Sequence, residues 1–321
     1  MSTNPSFVIV GASLAGAKGA EALRENGFTG SITLIGDETD RPYERPPLSK
    51  DYLQGKSERE KVFVHPAGWY VEHDVDLRLG VSVTAIDRAA HQVTLADGEA
   101  LAYDKLLLAT GSSPRILHIP GSDLDGIHYL RRLADSDQIR EAFAKGGPVA
   151  VIGAGWIGLE TAAAARAAGL EVTVLEMGTL PLLRVLGPEL AQVFADLHRD
   201  NGVDLRFGVQ VSELVGADGK VTGVLLGDGT TVAADIVLVG VGITPNVTLA
   251  EQAGLEVDNG IVVDEALRTS DPAIFAAGDV ANARHPRLGK SIRVEHWANA
   301  LNQPAVASKS MLGQAAAYDR T

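Results

Sequence analysis

The feature that most constrains this chain is an internal repeat, because two long stretches share one order of structural signals. Each copy has a short apolar run, a glycine-bearing turn, an alanine-rich helical stretch and a second apolar run that ends in a carboxylate. The first apolar run, the turn and the second apolar run are residues 7–10, 11–16 and 32–35 in one copy, and 149–152, 153–158 and 172–175 in the other. Each copy therefore predicts a strand, a turn, a helix and a parallel strand.

The likeness continues downstream. Each copy has a Val-Asp-Leu-Arg segment, an Asp-Gly turn typical of a hairpin, and an apolar strand that runs into a glycine turn and a proline. In chain order these features are residues 75–80, 97–98 and 106–114, and residues 203–208, 228–229 and 237–245. After the second copy we predict a strand over 261–264, a strand within 274–279 and a helix over 298–311.

This order predicts an α/β fold with two Rossmann-like dinucleotide-binding domains, each built from a parallel sheet and a β-meander. A length of 321 residues suits two such domains. We expect a discontinuous first domain over 1–113 and 245–321, and a second domain over 114–244.

The charge balance restricts the possible partners. The formal net charge is −13, so we expect no binding of nucleic acid and no attraction to an anionic membrane. No apolar run approaches the roughly 18 residues of a membrane span, and residues 1–6 carry no signal pattern. These features predict a cytoplasmic protein, and the sequence leaves open whether it is a monomer or a homodimer.

The chain contains no cysteine, which excludes thiolate nucleophiles, disulfides and iron–sulfur ligation by the chain itself. The eight histidines form no metal-binding pattern, so we expect no metal site. Any redox chemistry must then depend on a bound organic cofactor.

The second glycine turn meets each requirement of a dinucleotide site. Its glycines, Gly153, Gly155 and Gly158, allow a pyrophosphate to approach the start of the helix, where backbone amides and the helix dipole favour an anion. Glu176 ends the next strand and would accept the ribose 2′-hydroxyl but repel a 2′-phosphate, so we expect NAD in preference to NADP. Arg184 would contact the ribose or pyrophosphate, or is an ordinary surface arginine.

The first turn departs from the pattern, since Ser13 replaces the middle glycine. Its position near the N terminus and the acid Asp37 still favour a dinucleotide. Glu38 is the alternative ribose ligand.

Motifs along nearly the whole chain resemble one family. They are the first glycine turn, the segment Arg45–Lys50 (RPPLSK), the segment 108–111 (LATG), the second glycine turn with Glu160, and the segment 274–279 (IFAAGD). Together they resemble the FAD-dependent pyridine nucleotide oxidoreductases, and within them the bacterial ferredoxin reductases that serve cytochromes P450 and Rieske oxygenases. The resemblance implies a glutathione-reductase-like fold.

The resemblance, together with the turns, implies three sets of site residues. The catalytic set is Lys50, Glu160 and Trp297. The FAD set is Gly11, Ser13, Leu14, Ala15, Gly16, Asp37, Arg45, Lys50, Val83, Ala109, Thr110, Gly111, Arg131, Gly278, Asp279 and Trp297. The NAD set is Gly153, Gly155, Trp156, Ile157, Gly158, Glu176, Arg184 and Gly242.

The resemblance places Lys50 and Trp297 beside the flavin and Glu160 near the nicotinamide. Each has a plainer alternative: an exposed lysine, a core tryptophan and a carboxylate that stabilises a helix N terminus. The resemblance assigns Arg131 to the FAD site, and the adjacent Arg132 is the alternative.

The expected function is transfer of hydride from NADH to FAD, followed by single-electron transfer to a [2Fe-2S] ferredoxin. A redox sensor or assembly protein resembling apoptosis-inducing factor, and an NADH oxidase, are the alternatives. The resembling reductases carry a further small C-terminal domain, which is expected to begin about where residues 318–321 stand.

Overall fold

The computed structural model describes residues 5–320, so Thr321 and most of the polar start lie outside the described residues. The strands are β1 (Ser6–Val10), β2 (Ser31–Ile35), β3 (Val75–Arg78), β4 (Val83–Asp87), β5 (Gln92–Leu95), β6 (Ala100–Ala102), β7 (Lys105–Leu108), β8 (Ser112–Pro114), β9 (Ile127–Tyr129), β10 (Val149–Ile152), β11 (Val172–Glu176), β12 (Asp204–Phe207), β13 (Val211–Ala217), β14 (Lys220–Leu226), β15 (Thr231–Ala233), β16 (Ile236–Val239), β17 (Ile243–Pro245), β18 (Ile261–Val263), β19 (Ile274–Ala276), β20 (Ala281–His285) and β21 (Lys290–Ile292).

The α-helices are α1 (Leu14–Glu25), α2 (Trp69–Glu72), α3 (Leu133–Lys145), α4 (Trp156–Ala167), α5 (Leu183–Asp200), α6 (Thr248–Gln252) and α7 (Trp297–Met311). Short 3₁₀ helices cover Pro46–Ser49 and Arg59–Val62. In the described part of the chain, no helix combines the length and the apolar character needed to cross a membrane.

The chain divides into two compact units. The first unit comprises the residues up to Glu44, Phe63–Ser113 and the residues from Pro245 onward, and the second comprises Arg45–Val62 and Pro114–Thr244. The chain therefore passes between the two units at 44/45, 62/63, 113/114 and 244/245.

The first unit is built on a five-stranded parallel sheet with the order β19-β7-β1-β2-β3. Its central strands β1 and β7 are apolar after their first residues, Ser6 and Lys105, because they are buried on both faces, as Ile9 and Leu107 show with no exposed surface. Helix α1 packs closely on α7, where Ser308 Oγ donates to the Gly19 carbonyl oxygen at 3.0 Å. The antiparallel meander β4-β5-β6 completes the predicted pattern.

The second unit repeats this plan with the sheet β9-β16-β10-β11-β12 and the meander β13-β14-β15. Alternate residues of β10 face opposite layers: Val149 and Val151 join the core formed with α3 and α4, whereas Ala150 and Ile152 join the core formed with the meander. The repeat and the two Rossmann-like α/β units are thus confirmed.

One segment differs from the expected domain bounds. Residues 45–62 group with the second unit rather than with the rest of 1–113. The physical reason lies in their contacts: Leu53 is part of the apolar core with Ile139, and the Leu48 carbonyl oxygen accepts a hydrogen bond from buried Ser136 at 2.8 Å.

Candidate functional site

The two glycine turns have the same backbone geometry at their first glycine. Gly11 has a φ of +113° and Gly153 a φ of +98°, a region that disfavours other residues. A Cβ at Gly11 would lie 2.2 Å from the Ala109 carbonyl oxygen, and a Cβ at Gly153 would lie 2.4 Å from the Gly240 carbonyl oxygen. In each unit the turn therefore passes directly over the end of a neighbouring strand.

The last glycine of each turn is required by close packing of the helix. A Cβ at Gly16 would lie 1.9 Å from the Gly11 carbonyl oxygen, and a Cβ at Gly158 would lie 2.0 Å from the Gly153 carbonyl oxygen. Any side chain would push the helix away from the turn.

The middle position explains why serine is tolerated in the first turn. Ser13 and Gly155 are the N-caps of α1 and α4, and both have extended backbone that any residue adopts. A Cβ at Gly155 would have no heavy atom of the described chain within 4 Å. The departure at Ser13 therefore costs no backbone strain, and the middle position opens outward rather than into the fold.

Both turns fit the pyrophosphate of a dinucleotide. Within residues 5–320, no side chain caps the N terminus of α1 or α4, so the first-turn amides are left for an anionic ligand. Leu14 and Ala15 are buried in the first turn of α1, whereas Trp156 and Ile157 are 44% and 42% exposed in the first turn of α4.

The carboxylates after the second strands differ in their contacts. Glu176 Oε2 accepts from the Ala154 amide and Oε1 from the Gly178 amide, each at 2.7 Å. Asp37 is exposed at the matching place in the first unit, and the adjacent Glu38 accepts from the Tyr43 hydroxyl. Glu176 thus binds a backbone amide within its own glycine turn, that of Ala154, and a second amide just after β11, that of Gly178.

Three elements of the first unit converge around Gly278. A Cβ there would lie 3.0 Å from the Ala15 Cβ in α1 and 3.9 Å from the Ala300 Cα in α7, and the Gly278 amide donates to Gln303 Oε1 at 2.8 Å. The next residue, Asp279, accepts from Ser112 Oγ at 3.0 Å. The predicted Gly278 therefore lies beside the N-terminal turn of α1, and Asp279 follows it in the chain.

Trp297 is the first residue of α7, after the N-cap His296. It is 40% exposed, and its indole nitrogen donates to Glu44 Oε2 at 3.2 Å. Trp297 is therefore only partly buried at the start of α7.

The segment after β7 is held by Asn246. Thr110 Oγ1 donates to the Asn246 carbonyl oxygen, and Asn246 Nδ2 donates to the Thr110 carbonyl oxygen, both at 2.8 Å. The Asn246 amide also donates to the Gly111 carbonyl oxygen at 2.9 Å. Ala109 is buried at the start of this segment, and Val83 packs against the core of the same unit.

In the second unit the structure brings Lys50 and Glu160 together. Lys50 Nζ lies 2.6 Å from Glu160 Oε2, and the buried hydroxyl of Ser49 donates to the same oxygen at 2.5 Å. The Lys50 side chain is 50% exposed and that of Glu160 24% exposed, so this is a pair at a partly open surface. Both donors fix one oxygen of a carboxylate in the second turn of α4.

The remaining predicted residues also fall in the second unit. Arg45 donates to the Arg131 carbonyl oxygen, and the Arg131 amide donates to Asp135 Oδ2 at 2.9 Å. Arg184 is exposed in the first turn of α5, and Gly242 follows β16 with a φ of +108°.

Of the predicted FAD set, Arg45, Lys50 and Arg131 belong to the second unit and the other residues to the first. The predicted NAD set lies within the second unit. Sequence reasoning did not select Ser49, Gln303 or Asn246, although Ser49 stands beside Lys50 in the RPPLSK segment.

Comparison with known proteins identifies the family. The model of the family described as pyridine nucleotide-disulphide oxidoreductase matches residues 5–304. Rhodocoxin reductase of Rhodococcus erythropolis is 43% identical over 98% of this chain and 73% of its own length. Putidaredoxin reductase of Pseudomonas putida is 44% identical over 94% of this chain and 73% of its own length.

A third relative is the ferredoxin–NAD(+) reductase component of the anthranilate 1,2-dioxygenase system of Burkholderia cepacia, which is 46% identical over 99% of this chain and 78% of its own length. Solved structures of ferredoxin reductases also match this chain. The ferredoxin reductase for the CYP199A2 system from Rhodopseudomonas palustris superposes with a TM-score of 0.95 at 41% identity, covering 98% of this chain and 78% of its own.

The covalent putidaredoxin reductase–putidaredoxin complex matches with a TM-score of 0.94 at 42% identity, covering 97% of this chain and 76% of the matched chain. With its two glycine turns, its two parallel sheets and these matches, the chain belongs to the pyridine nucleotide-disulphide oxidoreductase family.

Proposed function

We propose that this chain is an FAD-dependent NADH:ferredoxin reductase, which passes electrons to a [2Fe-2S] ferredoxin serving a P450 or Rieske oxygenase. The observation that carries the proposal is the pair of glycine turns with matching geometry, one in each unit, in a chain without cysteine. Such a chain is suited to bind two dinucleotides and has no thiol of its own with which to form a redox disulfide.

Bound FAD supplies the redox chemistry, because a flavin accepts two electrons from a nicotinamide and can release them one at a time. The chain's own residues would bind the two dinucleotides and orient them. In the first unit, the Gly11–Gly16 turn would hold the FAD pyrophosphate, with Asp37 on the ribose and Asp279 on the ribityl chain. In the second unit, the Gly153–Gly158 turn would hold the pyrophosphate of NADH.

Within this proposal, Lys50 and Glu160 orient the reacting groups. The 2.6 Å ion pair and the Ser49 hydroxyl hold the Glu160 carboxylate in one position, and a positioned polar group near a nicotinamide fixes its angle of approach. Trp297, at the exposed start of α7, would lie beside the flavin as the resemblance implies.

Three named relatives support the direction of electron flow. They are a rhodocoxin reductase, a putidaredoxin reductase and a ferredoxin–NAD(+) reductase component, and a solved complex joins putidaredoxin reductase to putidaredoxin. We extend to this chain a preference for NADH over NADPH, because Glu176 ends β11 where a 2′-phosphate would be repelled. We place the reaction in the cytoplasm.

The experiment that tests the proposal is an anaerobic titration of the FAD-loaded protein with NADH and, separately, with NADPH. We expect the flavin absorption bands to bleach with NADH and a long-wavelength charge-transfer band to form. Addition of oxidised [2Fe-2S] ferredoxin should then restore the flavin bands while the ferredoxin is reduced.

A protein that takes up no FAD would contradict the proposal at its first step. Bleaching by NADH without ferredoxin reduction would favour the sensor or the NADH oxidase, and rapid oxygen uptake without an acceptor would select the oxidase.

A further inference from the structure

We propose that Asn259 is a modification site, where the side-chain amide is lost to give aspartate or isoaspartate, and that Arg293 promotes the reaction. Asn259 and Gly260 lie just before strand β18, and they and Arg293 all belong to the first unit. The proposal goes beyond the electron-transfer function and does not depend on it.

The reaction needs only the chain and water. The backbone nitrogen of the residue after an asparagine attacks the side-chain Cγ, a C–N bond forms, and ammonia leaves after taking up the proton of that backbone amide through the solvent. Water then opens the resulting cyclic imide at either carbonyl carbon, to give aspartate or isoaspartate. A following glycine favours the attack, because it has no Cβ to obstruct the approach.

The chain contains three Asn-Gly pairs, at 26–27, 201–202 and 259–260. The first two pairs follow helices α1 and α5 and are fixed by them. In each, the glycine amide donates to the carbonyl oxygen three residues before it, at 3.0 and 2.9 Å respectively. The asparagine Nδ2 donates to the carbonyl oxygen four residues before it, at 2.7 and 2.8 Å. Both reacting groups of these pairs are therefore already engaged.

The Gly260 amide has no such partner. Within residues 5–320 it donates to no oxygen, although Gly260 is buried. The nearby Asp258 carbonyl oxygen accepts instead from Asn282 Nδ2 at 2.6 Å. A buried amide hydrogen without an acceptor is unfavourable, and the cyclic imide has no hydrogen on that nitrogen. Ring closure therefore removes an unsatisfied donor.

Arg293 activates the other reacting group. Its Nη2 lies 3.2 Å from Asn259 Oδ1, and because a guanidinium can only donate, the atom it meets is the amide oxygen. The Arg293 side chain is 8% exposed and is held by Glu295 at 2.6 Å and by the Asp279 carbonyl oxygen at 3.2 Å. Negative charge develops on Oδ1 as the nitrogen attacks Cγ, and a fixed cation stabilises that charge.

The fold keeps glycine at the reactive pair. Gly260 has a φ of +130°, and a Cβ there would lie 2.7 Å from both the Val280 carbonyl oxygen and the Arg293 Cδ. No other residue fits this position without strain. The Asn259 residue is itself exposed, so water can reach the imide.

The modified chain differs in charge and in backbone. Either product places a new carboxylate beside Arg293, where it competes with Glu295 for the guanidinium. Isoaspartate also adds a backbone atom to the turn between the paired residues Val257 and Ile261. Because each modified molecule gains one negative charge, anion exchange should separate it from the unmodified chain.

The test compares Asn259 with Asn201, which stands in nearly the same local sequence. The two segments are Asp-Asn-Gly-Ile at 258–261 and Asp-Asn-Gly-Val at 200–203, so a difference in rate between them must come from the folded structure. The full chain is incubated in warm, mildly alkaline buffer, and peptide mapping by mass spectrometry follows the loss of amide at each site. Isoaspartyl methyltransferase labelling identifies the isoaspartate fraction.

In the folded chain we expect Asn259 to lose its amide at least about tenfold faster than Asn201, the effect of one charge-assisted hydrogen bond on a barrier. In concentrated urea the two rates should converge. Arg293→Gln should slow the loss at Asn259 toward the rate at Asn201. Arg166→Gln is the matched control, because Arg166 Nε donates to the Asn201 backbone carbonyl oxygen at 3.0 Å, and it should leave the rate at Asn259 unchanged.

Equal rates at Asn259 and Asn201 in the folded chain would overturn the proposal, as would a rate at Asn259 that Arg293→Gln leaves unchanged. If Arg293→Gln fails to fold, the unaltered chain decides. Its ratio of the two rates must be larger in buffer than in urea, and the same ratio in both would overturn the proposal.

Discussion

The Glu176 carboxylate accepts hydrogen bonds that stabilise the glycine turn, and it also carries the negative charge that would repel a 2′-phosphate. Two substitutions separate these roles. Glu176→Ala removes the acceptor for the Ala154 and Gly178 amides as well as the charge. Glu176→Gln removes the charge but keeps one carbonyl acceptor. We expect both changes to narrow the ratio of kcat/KM for NADH over NADPH by about tenfold, equivalent to about 1.4 kcal/mol.

The two variants should differ in stability. Glu176→Ala should lower the Tm of the unliganded protein more than Glu176→Gln, since Ala leaves both the Ala154 and the Gly178 amide without an acceptor and Gln leaves only one of them. An unchanged cofactor ratio in both variants would remove Glu176 from the 2′-hydroxyl role.

Ser49 is predicted to position Glu160 rather than to touch a reactant. Its buried hydroxyl bonds the same Glu160 oxygen as Lys50, and hydrogen bonds to charged groups are worth about 1.5–3 kcal/mol. Ser49→Ala should slow flavin bleaching by NADH several-fold with little change in the Kd of NAD⁺. Ser308→Ala, which removes another buried hydroxyl, should lower Tm without slowing the bleaching.

A normal bleaching rate in Ser49→Ala would show that Lys50 alone suffices to hold Glu160. Glu160→Gln provides the comparison, because it should slow the step whether or not Ser49 is present.

The residues foreseen from sequence and those missed differ in the reach of their contacts. Gly11 and Gly153 follow from a backbone requirement that is expressed within a few residues of the turn. Ser49 and Glu160 are 111 residues apart, and Thr110 and Asn246 are 136 apart. Nothing in the local sequence specifies such pairs, because they exist only after the sheets have assembled.

At the scale of elements, the start of α4 allows fold and ligand binding to be tested separately. Gly158→Ala would place a Cβ 2.0 Å from the Gly153 carbonyl oxygen, and overpacking of this kind costs about 1–3 kcal/mol. Gly155→Ala places its Cβ where no heavy atom of the described chain lies within 4 Å. We expect the first variant to lose several degrees of Tm and the second to keep nearly all of it.

The affinity for NAD⁺, unlike Tm, should change in Gly155→Ala. The Gly155 position opens outward beside the amides of α4, so a Cβ there would narrow the approach of the pyrophosphate. Because the first turn carries a Cβ at its matching residue, Ser13, we expect calorimetry to show a rise of a few-fold in the Kd of NAD⁺ at unchanged fold. Unaltered affinity in Gly155→Ala would mean that the dinucleotide does not approach this turn.

Element types could be predicted along most of the chain because hydrophobic period and turn residues are local properties. The grouping of residues 45–62 could not. Polar contacts such as Tyr52 Oη to Asp137 at 2.5 Å, and burial of Leu53 in the core with Ile139, assign this segment to the second unit. Those contacts arise from chain topology, which a local pattern does not encode.

At the scale of the whole molecule, buried histidines set the response to acid. Burial lowers the pKa of His65, His128 and His198, and for His65 the nearby Glu21 opposes the effect only in part. Below pH about 6.5 the unfolded chain binds protons that the folded chain does not, so stability is lost as pH falls through this range. Each site contributes at most about 1.4 kcal/mol per pH unit.

The prediction is a falling Tm between about pH 7.5 and about pH 5.5, recorded by differential scanning fluorimetry. His198→Gln should flatten that dependence because it removes one buried site. His118→Gln, at an exposed histidine of the same unit, should leave the slope unchanged. Equal slopes in all three proteins would exclude buried histidine as the cause.

The return of the chain to its first unit after Thr244 has a consequence for synthesis on the ribosome. Strand β19 and helix α7, the partners of β7 and α1, are translated near the end of the chain, whereas every strand of the second sheet has been translated by Val239. Domains fold as units during translation. The second unit should therefore fold before β19, the edge strand of the first sheet, has been synthesised. Protease protection of ribosome-bound chains ending near residue 280 should therefore appear first within residues 114–244.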